Sequence, residues 1–195
     1  MPVTRRALVP PAPTQPKWDL DVLGAPAVAV AVPGSPAPQG SKAYKGHVTK
    51  TTKSGKAVRV PVLVEQVAGV GPWREAVAGA VPLVLPRPWT PLDGPIVADM
   101  IFTMARGASL PAWRDWHSTC PDLDKLVRAT CDALTTCGAW VDDGRLTGFR
   151  RLDAVHVGSD DPDALPHPGA VIRLWPVPQH LIEARKARTR RRAAR

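Results

Sequence analysis

Two pairs of aspartates flank one short helical stretch of the sequence, and side chains of this type can bind a divalent metal ion. Asp122 and Asp124 lie where the stretch begins, and Asp142 and Asp143 follow about twenty residues later. Hard cations such as Mg²⁺ prefer carboxylate oxygens. If the chain returned to one edge of a sheet after the helix, the carboxylates would meet in one site. A metal site beside basic segments suits phosphodiester hydrolysis, so a DNA nuclease is the leading hypothesis.

A structural interpretation of the same aspartates stays open beside the metal site. Asp122 follows Pro121 and is well placed to cap a helix, and the helix dipole favours Asp124 in the first turn without any metal. Asp142 and Asp143 precede Gly144, which is typical of a polar turn. Local spacing alone does not choose between these two interpretations.

The helix between the two aspartate pairs follows from its periodicity. At about 100° per residue, one face is mainly apolar and carries Leu123, Leu126, Val127, Thr130, Leu134 and Cys137. Asp124, Arg128 and Asp132 form a polar stripe at i, i+4 and i+8, in which Asp124 and Arg128 can form an ion pair. Gly138 is positioned to end the helix. The pattern predicts a helix over residues 123–137 that packs on a sheet and leaves the polar stripe in a cleft.

These residues together resemble the RusA family of Holliday-junction resolvases, which phages and prophages often carry. The resemblance rests on PDLDKLVR at 121–128, DAL at 132–134 and GAWVDD at 138–143. It extends to VPGSPAPQGSK at 32–42, which is similar to the opening strand and loop of such proteins, and to PWREAV at 72–77, similar to their first helix. Together these segments span most of residues 28–176.

The resemblance implies a Mg²⁺-dependent endonuclease, with Mn²⁺ as a substitute, that acts as a homodimer and makes paired nicks in four-way junction DNA. Asp122, Asp124 and Asp143 would be the essential metal-binding residues, with Asp142 as a neighbouring carboxylate. Arg128 stands where the family has an important lysine. Lys125 stands where it usually has asparagine. Because a guanidinium does not exchange a proton near neutral pH, Arg128 can supply only charge and hydrogen bonds.

The positive charge of the 195-residue chain is concentrated in two segments. The net charge is +9, from 26 Lys and Arg against 17 Asp and Glu. Residues 184–195 contain seven basic residues and residues 42–59 contain six, and neither segment contains an acid. Such segments attract polyanions, so we predict that Lys42 and Lys45 contact DNA. Lys125, next to Asp124 in the aspartate motif, is a third predicted DNA contact.

The order of the predicted elements is βαβαββ, which gives an α+β domain with a small mixed sheet. We expect a flexible, Pro-rich leader over residues 1–26, one endonuclease domain over residues 27–178 and a basic tail over residues 179–195, of which residues 184–195 should be unfolded on their own. Predicted strands cover residues 27–32 (buried on both faces), 96–104, 146–157 and 170–175. A helix is expected around residues 72–80, broken by Pro82, and residues 33–61 are expected to form a long basic loop.

Cysteine usage and hydropathy give weaker expectations. The three cysteines, Cys120, Cys131 and Cys137, lack paired spacing, so a disulfide framework is not expected, and a zinc site with His117 is a minor alternative. The chain has no apolar stretch long enough for a membrane span and no signal-peptide pattern, so a cytoplasmic location is the default expectation.

Two other classes of function remain open. A nuclease for flaps or single strands would need the same carboxylates, whereas a non-catalytic DNA-binding module would need only the basic segments. Of the seven tryptophans, Trp140 and Trp175 are expected in the core. Trp113 and Trp116 precede the aspartate motif in a polar loop and are candidates for stacking at a junction centre.

Overall fold

A four-stranded mixed sheet carries two helices on one face in the computed structural model of the protein. The structure describes residues 18–40, 42–51, 55–65 and 68–193. For residues 42–45, 61–65 and 192–193 it describes the backbone only. The helices are α1 (Leu20–Leu23), α2 (Val70–Val84), α3 (Leu123–Thr136) and α4 (Gln179–Ala193), and the strands are β1 (Val28–Pro33), β2 (Lys42–Thr51), β3 (Ala57–Glu65), β4 (Ile96–Met104), β5 (Leu146–His156) and β6 (Gly169–Pro176).

The strand order in the main sheet is β1-β6-β4-β5. Strand β6 pairs antiparallel with both β1 and β4, whereas β4 and β5 are parallel. The α+β class with a small mixed sheet is therefore confirmed. The predicted βαβαββ order is recovered by β1, α2, β4, α3, β5 and β6, with β2 and β3 inserted after β1.

Strand β4 is the centre of the core because all nine of its residues are buried. Its even-numbered residues, including Met100 and Phe102, face α2 and α3, and Phe102 contacts the ring of Trp73 at a centroid distance of 6.4 Å. Continuous burial explains why β4 reads as an apolar run that only Asp99 and Thr103 interrupt. Strand β1 lies at the sheet edge, and the exposure of Ala29 and Ala31 corrects the expectation that both of its faces are buried.

Helix α2 is longer than its sequence suggested, since it continues through Pro82 to Val84. Trp73, Val77 and Val81 are buried at 1%, 0% and 0% exposure and form one stripe at helical spacing. Pro82 has no N–H to donate to the carbonyl four residues earlier, and burial of Val81 offsets that local cost. The expectation that Pro82 breaks this helix is thus wrong.

Helix α3 begins and ends almost where its periodicity predicted. It buries six residues against the sheet and α2: Leu126, Ala129, Thr130, Cys131, Ala133 and Leu134. Gly138, with φ of +73°, follows the helix end in the left-handed region that glycine tolerates. At the buried contact between the helices, the indole N–H of Trp73 donates to the hydroxyl of Thr130 at 3.1 Å, and that hydroxyl bonds the carbonyl of Leu126 at 2.9 Å.

The predicted basic loop is instead largely a two-stranded ribbon. Strands β2 and β3 pair antiparallel with each other in a sheet separate from the main one. Strand β3 has valine at every second position from Val58 to Val64, and β2 contains Val48, Thr49 and Thr51; β-branched residues of this kind favour extended backbone. All described side chains at 47–51 and 55–59 are exposed, so this half of the ribbon is solvated on both faces.

Part of the predicted leader and the predicted tail are ordered too. Leu23 of α1 packs with Val97 and Trp175 on the sheet face opposite α2 and α3, and the indole of Trp175 donates to the carbonyl of Gly24 at 2.9 Å. Residues 179–193 form α4, whose Leu181 and Ile182 line a groove with Trp18. The expectation that residues 184–195 are unfolded on their own is wrong for the described residues 184–193, which are helical. The Ala and Arg content of the tail favours a helix, and Leu181 and Ile182 of its first turn are partly buried.

We expect Thr130→Val to destabilise the protein by about 1–2 kcal/mol, because valine fills the same space but leaves the buried indole N–H of Trp73 without its acceptor. The melting temperature should fall by roughly 2–8 °C. Thr136→Val is the matched control, since the hydroxyl of Thr136 is exposed and bonds only the carbonyl of Asp132 within its own helix. Equal melting of wild type and Thr130→Val, measured by calorimetry, would contradict this role.

Candidate active site

The N-terminal turn of α3 presents two carboxylates to solvent. Asp122 occupies the N-cap position with extended backbone (φ −65°, ψ 138°), yet its side chain makes no capping hydrogen bond. Asp124 lies in the first turn and is exposed. The capping interpretation of Asp122 therefore holds for its backbone and not for its carboxylate, which is available for another role.

A cation already lies at this carboxylate. The ammonium of Lys125 is 2.6 Å from Oδ2 of Asp122, and both side chains are half exposed. The pKa of Lys125 is raised, first by its hydrogen bond to Asp122, and then by the negative charges of Asp122 and Asp124. One ammonium therefore interacts with both carboxylates. The two carboxylates supply oxygen donors of the kind that a divalent cation prefers.

The second aspartate pair lies beyond the C-terminal end of α3. Asp142 accepts a hydrogen bond from the backbone N–H of Gly144 at 2.8 Å, which is the turn interpretation of this residue. Asp142 and Asp143 line a cleft of about 370 Å³ with Arg74, Asp132, Thr135 and Thr136. This cleft is where α2, the end of α3 and the following turn meet.

Helix α3 keeps the two aspartate pairs apart within one chain. The helix has 14 residues, which corresponds to a length of about 20 Å at 1.5 Å per residue. The cleft with Asp143 is lined by residues of its last two turns, whereas Asp122 and Asp124 lie in its first. Within the described ranges, no three His, Cys, Asp or Glu side chains are grouped closely enough to hold a metal ion.

Arg128 lies one turn after Asp124, is exposed, and forms no ion pair with any residue that the structure describes. The expected pairing of Asp124 with Arg128 is therefore absent from the described contacts. Asp132, the third member of the predicted stripe, is instead paired with Arg74 of α2. Of the other predicted DNA contacts, the side chains of Lys42 and Lys45 lie outside the described part of the chain.

Two residues near the site were not singled out from the sequence. Arg74 pairs with Asp132 and lines the cleft with Asp143; it belongs to the PWREAV segment, and it and Glu75 are the only charged residues of α2, which was the available signal. Gln39 is only 6% exposed, and its backbone N–H donates to the backbone carbonyl of Lys125 at 3.0 Å. This bond holds the loop after β1 against the first turn of α3.

The loop before Asp122 presents two indoles on a fixed backbone. Trp113 and Trp116 are 78% and 74% exposed. The backbone of this loop is bonded to β5, with the N–H of His117 donating to Ala154 and the N–H of His156 donating to Asp115, each at 2.8 Å. The expectation that Trp140 and Trp175 are core residues is confirmed, since both are 1% exposed.

The cysteines do not support a zinc site among the residues described. Burial, and secondarily the charges of Asp143 and Asp132, raises the pKa of Cys131 to about 12. Burial also raises the pKa of Cys137. A zinc-binding cysteine must be a thiolate, and these environments favour the neutral thiol. Cys120 is exposed and free.

Comparison with known families identifies this architecture. The sequence model of the family described as Endodeoxyribonuclease RusA matches residues 33–163. The chain belongs to the RusA family. The match covers two-thirds of the chain, including the ribbon, α2, β4, α3 and β5, and it contains all four aspartates of the candidate site. The family assigns endodeoxyribonuclease activity, with DNA as the substrate. A search of curated proteins found no match. Across the described ranges, no helix is sufficiently long and apolar to traverse a bilayer.

We expect Arg128→Ala to slow single-turnover DNA cleavage by on the order of 100-fold or more. A loss of this size is typical when an enzyme loses a hydrogen-bond donor that stabilises negative charge in the transition state. Arg128→Lys should retain substantial activity, because the role assigned to Arg128 is electrostatic and needs no proton transfer. Both variants should melt as the wild type does, since the residue is exposed. Arg128→Ala that melts normally and cuts at the wild-type rate would exclude this role.

Proposed function

We propose that this RusA-family endodeoxyribonuclease is a Mg²⁺-dependent, homodimeric resolvase that makes paired nicks in four-way DNA junctions. The observation that carries the proposal is the carboxylate of Asp122. It stands at the N-cap position of α3 without capping the helix, and together with Asp124 it attracts a cation. In a family that cleaves DNA, such a pair is the natural position for a catalytic cation.

Asp122 and Asp124 would hold Mg²⁺, with Mn²⁺ able to substitute. Mg²⁺ keeps several waters and is commonly bound by one or two carboxylates together with substrate phosphates, so a pair of aspartates meets its needs. When bound, the ion supplies Lewis-acid stabilisation of the charge that develops on the scissile phosphate. Asp143, with Asp142 beside it, is assigned to the proposed site by the resemblance alone. Helix α3 separates these two residues from Asp122 and Asp124.

The remaining residues of the proposed site bind and orient DNA. The guanidinium of Arg128 donates hydrogen bonds to the phosphate that is cleaved, and its exposure leaves all its donors available. The basic ribbon, including Lys42 and Lys45, holds the backbone in register. Trp113 and Trp116 offer exposed rings to unpaired bases at the junction centre. A junction cut symmetrically on two strands requires two related sites, which a homodimer supplies.

The direct test is to incubate synthetic four-way junctions and matched linear duplexes with the protein and Mg²⁺ or Mn²⁺, and to map the nicks. We expect symmetric paired nicks in the junction. Asp122→Asn, Asp124→Asn and Asp143→Asn should abolish cleavage while junction binding is kept or becomes tighter, because each removes a charge that repels phosphate. Asp153→Asn serves as a carboxylate control, since Asp153 lies on β5 and pairs with Arg151.

Three outcomes of this test would count against the proposal. Near-wild-type cleavage by all three site variants would reject the assigned carboxylates. Preferential cutting of flaps or single strands would identify a different structure-specific nuclease. If the wild type binds DNA but does not cleave it, and binding persists in every aspartate variant, the protein is a non-catalytic DNA-binding protein.

Helix α4 adds a basic surface outside the family match. Glu183 is its only acid and pairs with Lys186 at 2.9 Å. Arg188, Arg190 and Arg191 are exposed and form no ion pair with described residues. Because cations spread around a helix recognise phosphate rather than sequence or junction shape, we propose that α4 adds non-specific DNA affinity.

Replacement of Arg188, Arg190 and Arg191 by glutamine should weaken DNA binding at low salt. The plot of log affinity against log salt should become shallower by up to about 2–3 in slope, as expected for the loss of three phosphate contacts. The ratio of junction to duplex affinity should not change. Fluorescence anisotropy over a salt titration measures both quantities. An unchanged slope, or loss of junction selectivity, would contradict this role for α4.

A further inference from the structure

The structure places the side chain of Lys125 on one carboxylate of the proposed metal-binding pair. The ammonium lies 2.6 Å from Oδ2 of Asp122 and interacts electrostatically with Asp124. An ammonium held this close to Asp122 neutralises charge that a divalent cation would otherwise neutralise. The two cations cannot share the same oxygen lone pairs without strong mutual repulsion.

We propose that Lys125 is a tethered counter-cation of the Asp122–Asp124 pair, which a divalent metal ion must displace before it can bind. The inference rests on the proposed function, since it takes this pair to be the metal site. It assigns Lys125 a second state, in which the displaced ammonium turns to solvent and becomes available to a DNA phosphate. Its predicted DNA contact then belongs to the metal-bound form of the protein.

The local geometry allows such an exchange at little structural cost. Lys125 and Asp122 are each half exposed, so their ion pair is readily broken by solvent or by a competing ion. The backbone of Lys125 is held independently of its side chain, because its N–H donates to the backbone carbonyl of Asp122 at 3.2 Å and its carbonyl accepts from the backbone N–H of Gln39 at 3.0 Å. A change of side chain at this position therefore leaves the first turn of α3 in place.

The test measures Mn²⁺ affinity of the full chain without DNA, by electron paramagnetic resonance titration at low, constant ionic strength. Lys125→Asn should bind Mn²⁺ about fivefold to tenfold more tightly than the wild type, because removal of a unit charge a few ångströms from a divalent ion relieves repulsion. Lys125→Arg keeps the charge and should bind as weakly as the wild type.

A matched control comes from α4. Lys186 pairs with Glu183 at the same i, i+3 spacing and with similar exposure, far from the candidate site in sequence. Lys186→Asn removes the same charge from the chain and should leave Mn²⁺ affinity unchanged. If Lys186→Asn and Lys125→Asn raise the Mn²⁺ affinity equally, the effect comes from net charge, and the proposed role of Lys125 as a counter-cation is wrong.

The remaining outcomes separate this inference from the proposed function. If Asp122→Asn and Asp124→Asn weaken Mn²⁺ binding while Lys125→Asn binds as the wild type does, the counter-cation is wrong and the metal site stands. If neither the wild type nor Lys125→Asn binds Mn²⁺ in a manner sensitive to Asp122 and Asp124, both the inference and the metal role of this pair are wrong.

Discussion

Burial of one face of α3 is the constraint on which the rest of the site depends. Leu126, Thr130 and Leu134 are fully buried against the sheet and α2, which fixes the rotation of the helix about its axis. This rotation directs the opposite face of the helix toward solvent, and that face carries Asp124, Lys125 and Arg128. The hydrogen bond from Trp73 to Thr130 fixes the position of α2 relative to α3 more closely than apolar packing alone, because a hydrogen bond depends on direction.

Elements with one dominant signal were predictable from the sequence. Strand β4 was predicted with its exact bounds because a mainly apolar segment of this length is typical of a strand buried on both faces. Helix α3 was predictable because its apolar face and its terminating glycine agree. The end of α2 and the helical state of α4 were missed, because tertiary burial overrides Pro82 and because a charged, weakly amphipathic segment carries little periodic signal.

The arrangement of the candidate site was less predictable than its residues. Spacing in sequence identified Asp122, Asp124, Asp142 and Asp143, but whether they meet depends on where the chain runs after α3, a tertiary property. The pairing of Asp132 with Arg74 depends on the packing of α2 against α3, and no local pattern reports that packing. The contact of Lys125 with Asp122 was accessible in principle, since i, i+3 neighbours meet on a helix.

The absence of a capping bond at Asp122 has a cost for the fold itself. A side chain that bonds the free N–H groups of the first turn typically adds about 1 kcal/mol to helix stability, and the carboxylate of Asp122 forgoes it. Aspartate is as good a capping residue as serine, so the cost comes from the orientation of the side chain and not from its type. The charge of Asp122 still interacts favourably with the helix dipole, which offsets part of that cost.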